Sequence, residues 1–308
     1  MKRSALLFAA LVYCSVTMGQ DHPTRPKILG IAAVRLYSTN IAAARDFYAK
    51  VLGPTGPCLW CEEVPRSPFI MPLNAEQIIF VLGSPAQLPS NLLGEVTFAT
   101  SDLEAMKRFL TASKIAFSSP KGMNGAPITL SDPEGHHIAF AKSWQASPES
   151  TLNASTLRLI HAGFIVRDRA SIEHFYKDVF GFRPYWHGGM KDDQTDWISM
   201  QVPDGTDWLE LMVNVEPDAN QRLRGIMNHV AIGVTDIHAT QKKLQENGAK
   251  LTEEPQIGRD GKWQLNLYDP DFTRVEFMEF TPVQKPCCSE FTGPHPGPQP
   301  PSKAPAKP

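Results

Sequence analysis

The sequence predicts an α+β protein in which one small unit, a strand followed by a helix and closing strands, occurs four times. Three observations predict it. Four segments share that outline. The first and third superpose through a helix that stops at a glycine, and the second and fourth superpose through a strand ending at an aspartate. Each half closes alike, with Leu130-Ser131-Asp132-Pro133-Glu134 mirrored by Leu267-Tyr268-Asp269-Pro270-Asp271. In both, Asp-Pro marks a turn before a last apolar strand.

Taken in order, residues 1–19 carry Lys2 and Arg3, then an apolar run from Leu6 to Val12, then small residues, the layout of a secretory signal peptide cleaved after Gly19. The protein is therefore expected to be exported, periplasmic or secreted. Lipid attachment at Cys14 is disfavoured because Tyr13 is too bulky for the residue before a lipidated cysteine. No other run approaches membrane-spanning length.

The first unit opens with Ile31-Ala32-Ala33-Val34-Arg35-Leu36, has Asn40 as a helix cap and reaches Gly53. The third opens with Ile160-His161-Ala162-Gly163-Phe164-Ile165-Val166, has Asp168 as cap and reaches Gly181. Sliding one on the other lays Phe47 on Phe175, Tyr48 on Tyr176 and Val51 on Val179; the caps and glycines are the expected start and stop signals. The second unit begins at Glu95 and ends its first strand at Asp102, as the fourth begins at His229 and ends at Asp236. The apolar positions of this pattern read as core.

The expected organisation is a first domain over 27–144, a polar linker over 145–157, a second domain over 158–282 and a Pro-rich tail over 283–308 whose composition favours extended, mobile conformations. At 308 residues and 42% hydrophobic content the chain can bury a core of that size. Loss of Lys2 and Arg3 takes the formal charge from -2 to -4, which gives no field for nucleic acid and leaves a small molecule as the expected partner. Export permits disulfides among Cys58, Cys61, Cys287 and Cys288. Cys58-Leu59-Trp60-Cys61 has redox or half-zinc spacing without a second such pair, and reads as a local disulfide or packed thiols. Adjacent Cys287 and Cys288 leave their pairing open.

One pattern carries chemistry. His161 and Glu210 are 49 positions apart and His229 and Glu276 are 47, while the histidines are separated by 68 and the glutamates by 66. A lone strand histidine is usually a hydrogen-bonded structural residue. Two imidazoles and two carboxylates at repeat-equivalent places instead suit one divalent metal ion. Glu210 stands among Trp208, Leu209, Leu211 and Met212, where an unpartnered carboxylate would be costly to bury. The corresponding first-half positions are Ala33, about Ile79, Glu95 and Ala139, so that half is expected to be metal-free. His136, His137, His187 and His238 read as peripheral, the first two in a solvated turn.

A first strand with histidine, a helix ending F-Y-x-x-V-x-G and a closing D-P-x-x-x-x-x-E resemble the vicinal oxygen chelate superfamily, the glyoxalase, bleomycin-resistance and extradiol-dioxygenase group. The resemblance spans Lys27 to about Pro282. It implies four βαβββ modules as two paired domains, with His161, Glu210, His229 and Glu276 holding one nickel, cobalt, zinc, manganese or iron ion on a concave sheet. It implies a metal-dependent lyase or isomerase of the glyoxalase type, acting on a small substrate that chelates through adjacent oxygens, with Glu210 or Glu276 as the base that moves a proton. Since glutathione is chiefly cytoplasmic, export points to another oxygen-rich substrate.

Two alternatives remain open at this level. An extradiol ring-cleavage dioxygenase would need Fe(II) on His161, His229 and Glu276 only; Glu210 is then superfluous, and Asn266 stands where a tyrosine is usual. A non-catalytic binding protein would use Trp197, Met200, Trp208, Met212, Trp263 and Phe277 to line a pocket.

Overall fold

The computed structural model describes residues 23–53, 56–57, 68–85, 89–120, 125–142 and 157–299, and in it the chain forms two mixed sheets with helices against them. The first unit is β1 (Ile28–Ser38), α1 (Ile41–Leu52), β2 (Gly56–Pro57), β3 (Phe69–Pro72) and β4 (Ile78–Gly83). The second is β5 (Leu93–Thr100), α2 (Leu103–Ala112), β6 (Ile128–Ser131) and β7 (His137–Ala141). The third is β8 (Arg158–Ile165), α3 (Arg169–Glu173) running into a π-helical turn over His174–Val179, then β9 (Arg183–Gly188), β10 (Trp197–Gln201) and β11 (Trp208–Met212). Helix α4 (Gln221–Met227) leads to the fourth: β12 (His229–Val234), α5 (Ile237–Glu246), β13 (Gln256–Ile257), β14 (Trp263–Tyr268) and β15 (Arg274–Glu279).

The predicted α+β class and fourfold repeat are present, and one pairing rule generates both sheets. In every unit the first strand lies parallel to the last, as β1 to β4, β5 to β7, β8 to β11 and β12 to β15. The first strands of consecutive units then pair antiparallel at the sheet centre, β1 with β5 and β8 with β12. The resulting orders are β2-β3-β4-β1-β5-β7-β6 and β13-β14-β15-β12-β8-β11-β10-β9. Among the described residues the second unit departs from βαβββ: it has two strands after its helix, with a single bridge between Ser118 and Thr129 beside them.

The cap residues act as the sequence requires. Asn40, Asp102, Asp168 and Asp236 each accept a hydrogen bond from the backbone N–H three residues on. Gly53 (φ 105°) and Gly181 (φ 76°) end their helices in the left-handed region open to glycine.

The halves keep separate sheets yet share one apolar core, which runs from Ile28 to Phe277 and includes contacts such as Phe98 on Phe182 and Phe109 on Phe180. Reciprocal hydrogen bonds cross the joint. The Tyr48 hydroxyl donates to Asp269 Oδ2 at 3.1 Å and the Tyr176 hydroxyl to Asp132 Oδ2 at 3.2 Å. The two repeated motifs, F-Y and D-P, thus meet each other across the halves. His136, expected in a solvated turn, belongs to this joint as well: its Nδ1 lies 2.8 Å from Asp132 Oδ2 and its ring stacks on Phe164 at 4.6 Å.

The C-terminal segment corrects an expectation. Residues 283–299 are not a free tail but lie across the second sheet. Cys287 N–H donates to Arg259 O, Thr292 N–H to Tyr185 O, Trp186 Nε1 to Cys287 O and Gln201 Nε2 to Pro294 O. Arg158 donates to Gly297 O. A Pro-rich stretch has no core of its own, but its carbonyls satisfy side-chain donors already in place and Phe291 packs on an existing apolar cluster. Cys287 and Cys288 are disulfide-bonded to each other. The expected signal over 1–19 with Cys14, the Cys58 and Cys61 pair, most of the linker and the tail beyond residue 299 lie outside the described residues.

Candidate metal centre

Residues directly opposite one another on paired strands project from the same face of a sheet, so the register lays out the site. One row across β11, β8, β12, β15 and β14 reads Trp208, His161, Ala231, Glu276 and Asn266. The next, across β10, β11, β8 and β12, reads Ser199, Glu210, Gly163 and His229. All four expected donors therefore share the face opposite the helices, on the four central strands. Small residues stand between them. A Cβ on Gly163 would lie 2.1 Å from His229 Cε1, so the imidazole occupies the space that glycine leaves.

The donor atoms converge. His161 Nε2 and His229 Nε2 are 3.0 Å apart. Glu210 Oε2 lies 3.3 Å from His229 Nε2 and 4.0 Å from His161 Nε2, and Glu276 Oε2 lies 3.6 and 3.5 Å from the same two atoms. Ligands about 2.1 Å from a shared ion stand roughly 3.0–3.4 Å apart; His161, Glu210 and His229 form one group whose donor atoms all lie within 4.8 Å of one another, and Glu276 adjoins its two histidines. The histidines are 0% exposed, the Glu276 side chain 3% and that of Glu210 13%.

Protonation supports the same fit. Met227 O lies 3.0 Å from His229 Nδ1 and can only accept, so Nδ1 carries the proton and the Nε2 lone pair faces the cluster. Burial, then the Arg274 charge, lower the pKa of His229 and keep it neutral. Burial by itself would raise Glu276, but Arg274, 3.7 Å away, and the two histidines outweigh it and hold the carboxyl at about 2. Burial likewise pushes Glu210 up, while contact with His229 and the charge of His161 leave it lowered overall. Two ionised carboxylates and a neutral imidazole whose lone pair faces inward form a donor set of the kind that holds a divalent ion.

The first half presents other residues at these positions. Register places Ala33, Phe80, Glu95 and Ala139 there, so Phe80 rather than Ile79 stands opposite Arg35 as Glu210 stands opposite Gly163. The place of Gly163 is taken by Arg35, whose guanidinium reaches Glu95 at 3.6 Å and supplies the positive charge there.

Three pocket-lining expectations are also revised. Met200, Trp263 and Phe277 pack in the helix-side core, because alternation turns them from the donor face, whereas Trp197, Trp208 and Met212 share it. Sequence reasoning missed Arg274 and Lys262. The first was legible two residues before Glu276 on the same strand face; the second lies just outside a strand, where no repeat partner draws notice.

The fold and this cluster define a protein of four related strand-helix-strand units whose second pair carries a candidate metal centre. Residues 158–277 match the model of the Glyoxalase/Bleomycin resistance protein/Dioxygenase superfamily, so this half of the chain is similar to that superfamily. A lactoylglutathione lyase of Haemophilus influenzae is 26% identical over 125 residues, 40% of this chain and 93% of the relative. Solved structures of similar fold include an extradiol ring-cleaving dioxygenase from B. fuscum, with TM-score 0.63, 17% identity and coverage of 88% of this chain and 76% of that one. Homoprotocatechuate 2,3-dioxygenase from Arthrobacter globiformis has TM-score 0.61 and 17% identity, with coverage of 83% and 80%. Among the described residues no helix is long and apolar enough to cross a membrane.

Proposed function

We propose that the second half holds one divalent metal ion on His161, Glu210, His229 and Glu276, and that the protein is an exported glyoxalase-type enzyme moving a proton on a small substrate with two adjacent oxygens. The carrying observation is the convergence of four donor atoms within 4.0 Å of the paired histidines on one buried sheet face. The bound ion would supply Lewis acidity, drawing negative charge toward a substrate carbonyl oxygen.

The two glutamates are suited to different work. Glu276 is held by Arg274 and nearly closed from solvent, which suits a fixed ligand. Among the described residues Glu210 has no guanidinium paired with it and is the more exposed of the two, so its carboxylate is the base that takes a proton from the carbon next to the carbonyl and returns it to the neighbouring carbon. Atoms and charge balance without an added reductant or oxidant, as an isomerisation requires. Trp208, its ring tilted against that of His161 at 4.7 Å, and Trp197 and Met212 on the same face give an apolar wall that limits water.

Metal analysis of the full-length protein after loading with nickel, cobalt, zinc or manganese tests this. One ion per chain is expected, lost in both His161→Ala and Glu210→Ala. Isomerisation of a thiol hemithioacetal is expected to fall by about 100-fold or more in Glu210→Gln. A second reading, the ring-cleaving dioxygenase, is favoured by the fold likeness over 88% of the chain. Iron with oxygen uptake on catechols, surviving Glu210→Ala, would select it; no metal under any loading condition leaves a ligand-binding module.

A further inference from the structure

Beside the four donors lies a cation that they do not account for. The Lys262 side chain is 0% exposed, and its Nζ has no hydrogen-bond acceptor among the described residues. It faces rings instead, Trp208 at 4.7 Å, Phe291 at 5.0 Å and Tyr185 at 5.6 Å. Aromatic faces attract an ammonium but offer its three N–H groups no lone pair. The adjacent acid does not serve either. Asp260 Oδ1 accepts from the backbone N–H of Lys262 and from Gln264 Nε2, at 3.1 and 3.2 Å, and no ion pair joins it to Nζ.

The placement points to the metal centre. Lys262 immediately precedes β14, and alternation puts it on the face of Gln264 and Asn266, the latter directly opposite Glu276. Trp208 lies between the two features, touching the ammonium with its ring and standing 4.7 Å from the His161 ring. Burial draws the amine down to about 8, while Asp260, Glu276 and Glu210 act to raise it, so the group is cationic at neutral pH and within electrostatic reach of both carboxylate donors. A buried ammonium lacking any acceptor is satisfied when a ligand brings an anionic oxygen.

We propose that Lys262 is the anion-binding residue of the substrate site, receiving a carboxylate or similar oxyanion at the end of the substrate remote from its two chelating oxygens. This rests on the metal-centre reading. The substrate class is then an anionic molecule with adjacent oxygens at one end, and Tyr185, Trp208 and Phe291 form the apolar surround that makes the charge contact selective.

Hydroxamates, which chelate through two adjacent oxygens, test it on the zinc-loaded full chain. Monohydroxamates of succinic, glutaric and adipic acid are compared with uncharged alkyl hydroxamates of equal length. At least one charged probe is expected to bind about tenfold or more tightly than its uncharged partner. In Lys262→Met, which keeps the buried stem without the charge, that ratio is expected to fall to about one, and Lys262→Arg is expected to restore part of it. A ratio near one in the parent protein, or one unchanged in Lys262→Met, overturns the assignment while leaving the metal reading intact. If neither kind of hydroxamate binds, the metal reading fails and this assignment fails with it.

Discussion

At the scale of single residues, the donor cluster depends on a position that bears no chemistry. Gly163 stands directly opposite both Glu210 and His229, and the His229 ring fills the place of its missing side chain. Gly163→Ala is expected to displace that ring, lowering metal affinity by about 10- to 100-fold while the fold persists; metal titration beside circular dichroism reads the two effects separately. That the four candidate donors lie close together was legible in the sequence because duplication marks them twice. Gly163 and Lys262 were not, since a glycine's role depends on which ring meets it and a lysine outside the strand pattern has no repeat partner.

At the scale of elements, the legible parts were those that local chemistry decides. Caps at Asn40 and Asp168 and stops at Gly53 and Gly181 depend on hydrogen bonds and backbone angles a few residues away. The partner of the F-Y helix was hidden, because Tyr48 and Asp269 are 221 positions apart. Tyr48→Phe and Tyr176→Phe are each expected to cost about 1 kcal/mol, additive because the two bonds are separate, as urea unfolding will show. Burial pushes Asp269 up to about 7 despite two backbone N–H donors, whereas an unfolded aspartate titrates at about 3.9. Between those values the native state binds the extra proton, so this group's contribution to stability falls as pH rises from about 4 to about 7 and then levels. Asp269→Asn is expected to flatten that slope; equal slopes in the two proteins would refute it.

At the scale of the whole molecule, the halves are less separable than the repeat suggests. The linker composition reads as a boundary between two independent domains, but composition does not reveal that both helix layers bury against each other. Phe98, Phe109 and Phe140 of the first half pack on Phe180 and Phe182 of the second. Residues 157–299 expressed alone are accordingly expected to aggregate or self-associate rather than give a monomer by size-exclusion chromatography, since the exposed apolar face seeks another partner. The Pro-rich segment escaped a sequence reading for a similar reason: it holds its shape by contacts with β8, β9 and β10.

That segment also divides labour along the chain. The strands bearing His161, Glu210, His229 and Glu276 are all complete by residue 279, before the stretch that brings Phe291 against Lys262. The candidate donors and part of the wall beside them therefore belong to separate stretches of sequence. Substitutions at Phe291 can reshape the surroundings of Lys262 while every strand that carries a candidate donor keeps its own residues.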